Sequence, residues 1–394
     1  YSVISVIGDG SLTGGMAYEA MNNAARLKSN FIIVLNDNNM SISENVGGMS
    51  DYLGKLRTND AYQELKQGVS DTLKKIPVYG DRVVRRIKKT KSGIKQLFIP
   101  GMWFEEMGLT YLGPIDGHDI GRLVRAFKEA RKVNGPVLLH ILTQKGRGYV
   151  PAERHPARFH GAEPFDIATG LPLHKRTKAN YTDVFATVMR KMGERQENLV
   201  AITAAMPDGT GLKRFKNVFP ERFFDVGIAE QHAVTFAAGL ASKGMLPVVC
   251  IYSTFLQRSY DQIIHDVNLL HENVVFAVDR AGFVPEDGET HQGIYDPAFL
   301  SQTGMPIYSP SNYEELRHWL PILLSHEMQG PRAIRYPRGG ESKALAKYGC
   351  SGKEYDKLIH TGCKSRTGEL RRRGRRCSCS GRDAGQRGHP LRCL

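Results

Sequence analysis

Residues 3–40, VISVIGDGSLTGGMAYEAMNNAARLKSNFIIVLNDNNM, carry the pattern that decides the fold. Residues 3–7 are a short β-branched run, ended by Gly8-Asp9-Gly10. Over 13–28 the apolar positions Met16, Ala17, Ala20, Met21, Ala24 and Leu27 fall at helical spacing, and 31–35 return to strand character. Strand, turn, helix and strand in that order make the unit of a parallel α/β sheet.

Working outward, residues 51–100 are polar and basic and read as a helical insertion. The α/β pattern resumes with a strand at 110–112, a helix at 119–133 and a strand at 136–142. Residues 151–179 are rich in Pro, His and Gly without periodicity, which predicts a linker. A second α/β domain follows over 180–345. Its expected strands are 199–206, 223–226, 246–253, 273–279 and 333–336, and its expected helices 181–193, 230–243, 255–268 and 312–325. The expected fold class is therefore α/β, with two domains of mainly parallel sheet flanked by helices: 1–150, then 180–345. A tail, 346–394, completes the chain.

The chain has 394 residues, 41% hydrophobic and 24% charged, with a formal charge of +14. No apolar run approaches the ~20 residues of a membrane-spanning helix. The charge is uneven. Residues 363–394 hold ten Lys/Arg against two Asp/Glu, so +8 of the +14 sits there. The remaining mild excess argues against a nucleic-acid partner and suits an enzyme of anionic substrates. Four of the six cysteines share that tail, leaving Cys250 and Cys350 in the body, which fits a reducing compartment. The tail reads either as a disordered basic arm or, the preferred expectation, as translation in a shifted frame from about residue 363.

The sharpest chemical signal is Gly8-Asp9-Gly10 followed by Asn36-Asp37-Asn38-Asn39-Met40. Glycines let the backbone turn and approach a phosphate closely. The next helix offers its N-terminus to an anion. Both segments leave the carboxyl ends of strands, where open α/β sheets bind ligands. Mg²⁺ takes about six oxygens. The Asp9 carboxylate, the Asn38 amide oxygen, the Met40 carbonyl, two diphosphate oxygens and a water would supply them. Separately these motifs are common turns; together, with a helix and a strand between them, they match the thiamine diphosphate fingerprint. That cofactor needs a buried carboxylic acid to drive its aminopyrimidine to the imino form. Glu230, in DVGIAEQH at the start of an apolar helix, is the candidate.

GDGSLTGGMAYEAMNNA, LNDNNMSISENVGGMS, DVGIAEQHAVTFAAGLA, YSTFLQRSYDQIIHDV, DRAGFVPEDGETHQGIYD and RYPRGG together resemble the 1-deoxy-D-xylulose-5-phosphate synthase family, over 1–362. The resemblance implies condensation of pyruvate with D-glyceraldehyde 3-phosphate, with loss of CO₂, to feed isoprenoid, thiamine and pyridoxal precursors. It implies a diphosphate- and Mg²⁺-binding first domain, a pyrimidine-binding second domain, an active site between the two, and a homodimer. It also implies an upstream segment and a third domain that this sequence lacks, and hence weak or no turnover for this chain. Carried over by motif, Gly8, Asp9, Gly10, Ser11, Asn38 and Lys145 hold the cofactor diphosphate. Asp9, Asn38 and Met40 hold Mg²⁺, Glu230 activates the cofactor and Phe255 stacks on its aminopyrimidine. Tyr252, Arg258, Arg280 and Arg338 bind substrate anions, as Arg forks suit carboxylates and phosphates. His291 and His160 transfer protons, and Asp287 orients the reacting group. The expected location is cytoplasmic, with a plastid signal left open, and the expected partners include neither nucleic acid nor membrane. The runner-up is another transketolase-type ketol transferase.

Overall fold

In the computed structural model the described residues are 3–41, 45–58, 102–174, 178–284, 287–325, 327–350 and 352. The expected insertion from residue 59 onward and the tail from 353 lie outside them. The chain divides into two compact units, Tyr1–Ala162 and Glu163–Leu394.

Among its described residues unit 1 has four parallel strands, β1 (Val3–Gly8), β2 (Phe31–Asp37), β3 (Thr110–Asp116) and β4 (Pro136–Leu142), in the order β1-β2-β4-β3. β2 alternates between two apolar clusters. Ile33 and Leu35 face one, with Leu138 and Tyr111, while Ile32 and Val34 face the other, with Val137 and Leu139. Burial on both sides explains why FIIVL reads as an unbroken apolar run. Helices α1 (Gly15–Ala24) and α2 (Gly48–Thr58) cover the first face through Met21, Ala24, Leu53 and Leu56. Helix α3 (Ile120–Ala130) covers the second through Ala126, Phe127 and Ala130. Its start is fixed by Asp119, whose side chain accepts from the Arg122 amide.

Among its described residues unit 2 has six parallel strands: β5 (Leu199–Thr203), β6 (Phe223–Asp225), β7 (Leu246–Tyr252), β8 (Val275–Asp279), β9 (Ile307–Tyr308) and β10 (Arg332–Arg335). Their order is β6-β5-β7-β8-β10-β9. Helix α4 (Tyr181–Arg195) begins at a reciprocal capping box, Asn180 with Asp183. It packs Phe185, Met189 and Met192 on one face of the sheet beside Leu316, Leu320 and Leu323 of α6 (Tyr313–Leu323). Helix α5 (Glu230–Ala241) buries Ala233, Val234 and Ala237 and packs on β7. Each buried Val, Leu, Met or Phe side chain among these contributes roughly 1.5–3 kcal/mol.

Four expectations differ. The expected linker opens on a short helix, Val150–Arg154. The helix of 13–28 is preceded by a separate 3₁₀ turn, Asp9–Thr13, and α1 starts only at Gly15. The first strand of unit 2 ends at Thr203, because Ala205 takes a left-handed φ of 59° and its amide is captured by the Asp225 carboxylate at 2.8 Å. The helix of 255–268 breaks into short turns and a π-helix, Ile263–Asn268.

Candidate functional site

In unit 1 the pairing of Gly8 with Asn36 sets the ends of β1 and β2 side by side, so both motifs leave one edge of the sheet. Asp9 is buried. Its Oδ2 accepts from Asn45 Nδ2 at 2.8 Å. Its Oδ1 accepts no hydrogen bond of good geometry, although the Asn38 and Asn39 amides lie close enough to favour its charged form. Burial, then the adjacent Asp37 carboxyl, push the Asp9 pKa up to about 6. A buried carboxylate oxygen without a good donor, beside a second carboxylate, fits a hard divalent cation. Gly10 has no room for a side chain: a Cβ there would lie 2.9 Å from Ser41 Cβ and 3.2 Å from Asn45 Oδ1. A 3₁₀ turn, Asp9–Thr13, stands between Gly8 and the start of α1 at Gly15.

The Asn38 amide oxygen accepts from the Met40 amide at 3.0 Å, forming an Asx turn. A carbonyl oxygen has a second lone pair for another partner. Ser11 lies exposed on the 3₁₀ turn. Lys145 donates to the Ser41 carbonyl at 2.7 Å and meets His160 Nδ1 at 3.0 Å. Burial lowers the Lys145 pKa against the pull of Asp9, and burial with the Lys145 charge lowers that of His160. Unit 1 thus gathers Asp9, Gly10, Asn38, Met40, Lys145 and His160 around one loop.

In unit 2 Glu230 is buried at the first position of α5, with Arg258 Nη1 at 3.3 Å from its Oε2. Arg258 was expected on a substrate anion; here its guanidinium rests on Glu230, and other expected residues form a second group. That group forms beyond β7 and β8. The Arg280 guanidinium lies 3.9 Å from the Tyr252 ring centroid, and Arg280 and Arg338 both grip Asp287. Phe255 stacks on Tyr252 at 5.8 Å and meets His291 edge-on at 5.3 Å. Two guanidiniums on one carboxylate make a locally cationic trio, suited to a phosphate or carboxylate.

Several residues that sequence reasoning missed hold this group in place. Arg280 adopts a left-handed φ of 57°. The carboxylate of Asp279 accepts its amide at 2.6 Å and Thr182 Oγ1 at 3.0 Å, and burial raises the Asp279 pKa to about 7. Gly293 pairs with Gly282, and a Cβ on Gly293 would lie 2.2 Å from the Arg280 carbonyl. Gly209 makes room for Tyr252, since a Cβ there would stand 1.6 Å from the tyrosine hydroxyl oxygen. Gly209→Ala is therefore expected to destabilise the protein by about 1–3 kcal/mol. In a Tyr252→Phe background the cost shrinks, because the colliding oxygen is gone. A double-mutant cycle by urea unfolding measures this coupling; simple additivity of the two changes would refute the contact. Gly209 sits in no pattern that sequence alone singles out, and Asp279 opens the DRAG motif without a role of its own in the sequence reading. Asn45 lies inside the second motif but carries no periodic or spacing signal.

The family model described as 1-deoxy-D-xylulose-5-phosphate synthase matches residues 1–143, and that described as transketolase, pyrimidine binding domain, matches 177–340. The 1-deoxy-D-xylulose-5-phosphate synthase of Lachnoclostridium phytofermentans is 58% identical over 85% of this chain and 54% of its own length. That of Pelotomaculum thermopropionicum is 52% identical over 92% of this chain and 56% of its own. Among solved structures, a transketolase from Campylobacter jejuni aligns at 18% identity and a TM-score of 0.38, over 85% of this chain and 56% of that one. The chain spans about half the length of the curated relatives it matches.

Proposed function

We propose, on the premise that the chain belongs to the 1-deoxy-D-xylulose-5-phosphate synthase family, that it serves the condensation of pyruvate with D-glyceraldehyde 3-phosphate, with loss of CO₂, to 1-deoxy-D-xylulose 5-phosphate. The product would supply isoprenoid, thiamine and pyridoxal precursors. The observation that carries this reading is the meeting of the Gly8-Asp9-Gly10 turn with the loop after β2, where Asp9 keeps a buried oxygen without a good donor.

Asp9, Asn38 and the Met40 carbonyl would hold Mg²⁺, with Gly8, Gly10, Ser11 and Lys145 around the cofactor diphosphate. Thiamine diphosphate, when bound, supplies a carbon nucleophile and an electron sink. Glu230 would hold a proton at the aminopyrimidine, its burial excluding water from that contact. Phe255 offers an aromatic face. Arg280 and Arg338, kept in register by Asp287, would bind the substrate phosphate or carboxylate, with the Tyr252 hydroxyl as a further donor and Arg258 as another cation. His160 and His291 would move protons at the substrate oxygens. Dimer formation and a cytoplasmic location belong to the same proposal. Among the described residues no helix is long and apolar enough to cross a membrane.

The test is calorimetric titration with thiamine diphosphate and Mg²⁺, followed by an assay of CO₂ release from pyruvate. Metal-dependent cofactor binding and release that requires glyceraldehyde 3-phosphate support the proposal. Donor activity of xylulose 5-phosphate without pyruvate turnover would move the chain to another ketol transferase. Cofactor binding without either turnover would make this chain a binding module.

A further inference from the structure

Beneath the loop that follows β2 runs a buried polar chain that the roles above do not use. It begins with Tyr111 on β3, whose hydroxyl lies 2.8 Å from His140 Nδ1. His140 on β4 is fully buried, and its Nε2 lies 3.0 Å from Asp37 Oδ2. A carboxylate only accepts, so Nε2 carries the hydrogen of that bond, and the tyrosine hydroxyl closes the other ring nitrogen. Asp37, the last residue of β2, is fully buried as well. Its Oδ1 accepts from Arg57 of α2 and from the Asn39 amide at 3.2 Å. Arg57 also donates to the Asn39 side chain at 2.7 Å. Asn39 needs such holding, because its backbone is left-handed, with φ of 64°. Asn tolerates that region better than most residues, but at a cost.

The consequence falls on the neighbours of Asn39. A left-handed residue between Asn38 and Met40 reverses the chain, so the Asn38 side chain closes on the Met40 amide. The Asn38 amide oxygen and the Met40 carbonyl then take their directions from the conformation of Asn39. Four elements converge on Asp37 to set it: β2, β3, β4 and α2.

We propose that Asp37 is a positioning residue of the cation site, clamped by His140–Tyr111 on one oxygen and by Arg57 on the other, and that it acts by fixing the Asn38–Met40 turn. This rests on the reading of Asp9, Asn38 and Met40 as the Mg²⁺ site. Outer carboxylates that orient a metal's ligands typically change affinity 10–100-fold when removed.

Mg²⁺ is titrated by calorimetry at saturating thiamine diphosphate into the wild-type chain, Asp37→Asn and Tyr111→Phe. Thermal unfolding and amide exchange at Asn39 and Met40 are followed in the ligand-free proteins. Asp37→Asn should weaken Mg²⁺ about 10–100-fold and speed exchange at both amides. Tyr111→Phe, a gentler change at the far end, should weaken Mg²⁺ about 2–10-fold with folding retained, and it decides the matter if Asp37→Asn does not fold. Mg²⁺ affinity within about twofold of wild type in the folded variants, whatever their melting temperatures, would reduce the chain to a fold-stabilising feature. A wild-type chain that binds no Mg²⁺ with the cofactor present would overturn the site reading itself, and this inference with it.

Discussion

Glu230→Gln is expected to slow exchange of the thiazolium C2 hydrogen of bound thiamine diphosphate by about 10²–10⁴-fold, the range ascribed to a positioned proton-transfer group. Cofactor affinity should change far less. Glutamine keeps the volume and a hydrogen-bonding oxygen of the buried side chain, and Arg258 can still reach that oxygen. What it cannot do is exchange a proton with the aminopyrimidine. The competing reading makes Glu230 an acidic first-turn residue that merely complements the α5 dipole. That reading predicts a stability loss of about 0.3–1 kcal/mol and an unchanged exchange rate. Quenched deuterium exchange read by proton NMR, with a urea unfolding curve on the same preparation, separates the two. Exchange within a few-fold of wild type would remove Glu230 from the chemistry.

The fold was legible where burial imposes a period. FIIVL and PVLLHIL are apolar on both faces because clusters lie on both sides of the sheet. The elements that failed are those shaped by single polar contacts. Asp225 ends β5 early by capturing the Ala205 amide, and no spacing rule anticipates a carboxylate twenty residues downstream. The site divides in the same way. Asp9, Asn38 and Met40 stand out because turn residues follow strand ends at a fixed interval. The residues that support the site are spread over β3, β4 and α2. Tyr111, His140 and Arg57 look like ordinary strand and helix residues until the register pairs Leu35 with His140 and brings that histidine within reach of Asp37. Tyr252, Phe255, Arg280, Asp287, His291 and Arg338 came from resemblance rather than pattern, and unit 2 does gather them. Arg258, expected on a substrate anion, pairs with Glu230.

Asp9→Asn separates function from stability, because its two effects have opposite signs. Loss of the charged ligand should weaken Mg²⁺-dependent binding of thiamine diphosphate by more than about 10²-fold, beyond what loss of an outer-shell partner costs. The metal-free protein should instead gain stability. Burial and the neighbouring Asp37 carboxyl raise the folded pKa of Asp9 from 3.8 to about 6. The folded state therefore binds more protons than the unfolded chain between those values, and stability attributable to Asp9 falls as pH rises through that window. Asparagine removes the charge while its carbonyl oxygen can still accept from Asn45 Nδ2. The gain should be absent below about pH 4, grow between pH 4 and 6, and level off above, at on the order of 1–3 kcal/mol. Urea unfolding in EDTA across that range, beside a calorimetric titration, tests both halves. A variant equally stable or less stable at pH 8 would mean that Asp9 is not held against Asp37 as described. Unchanged metal-dependent cofactor binding would mean that the cation is held elsewhere.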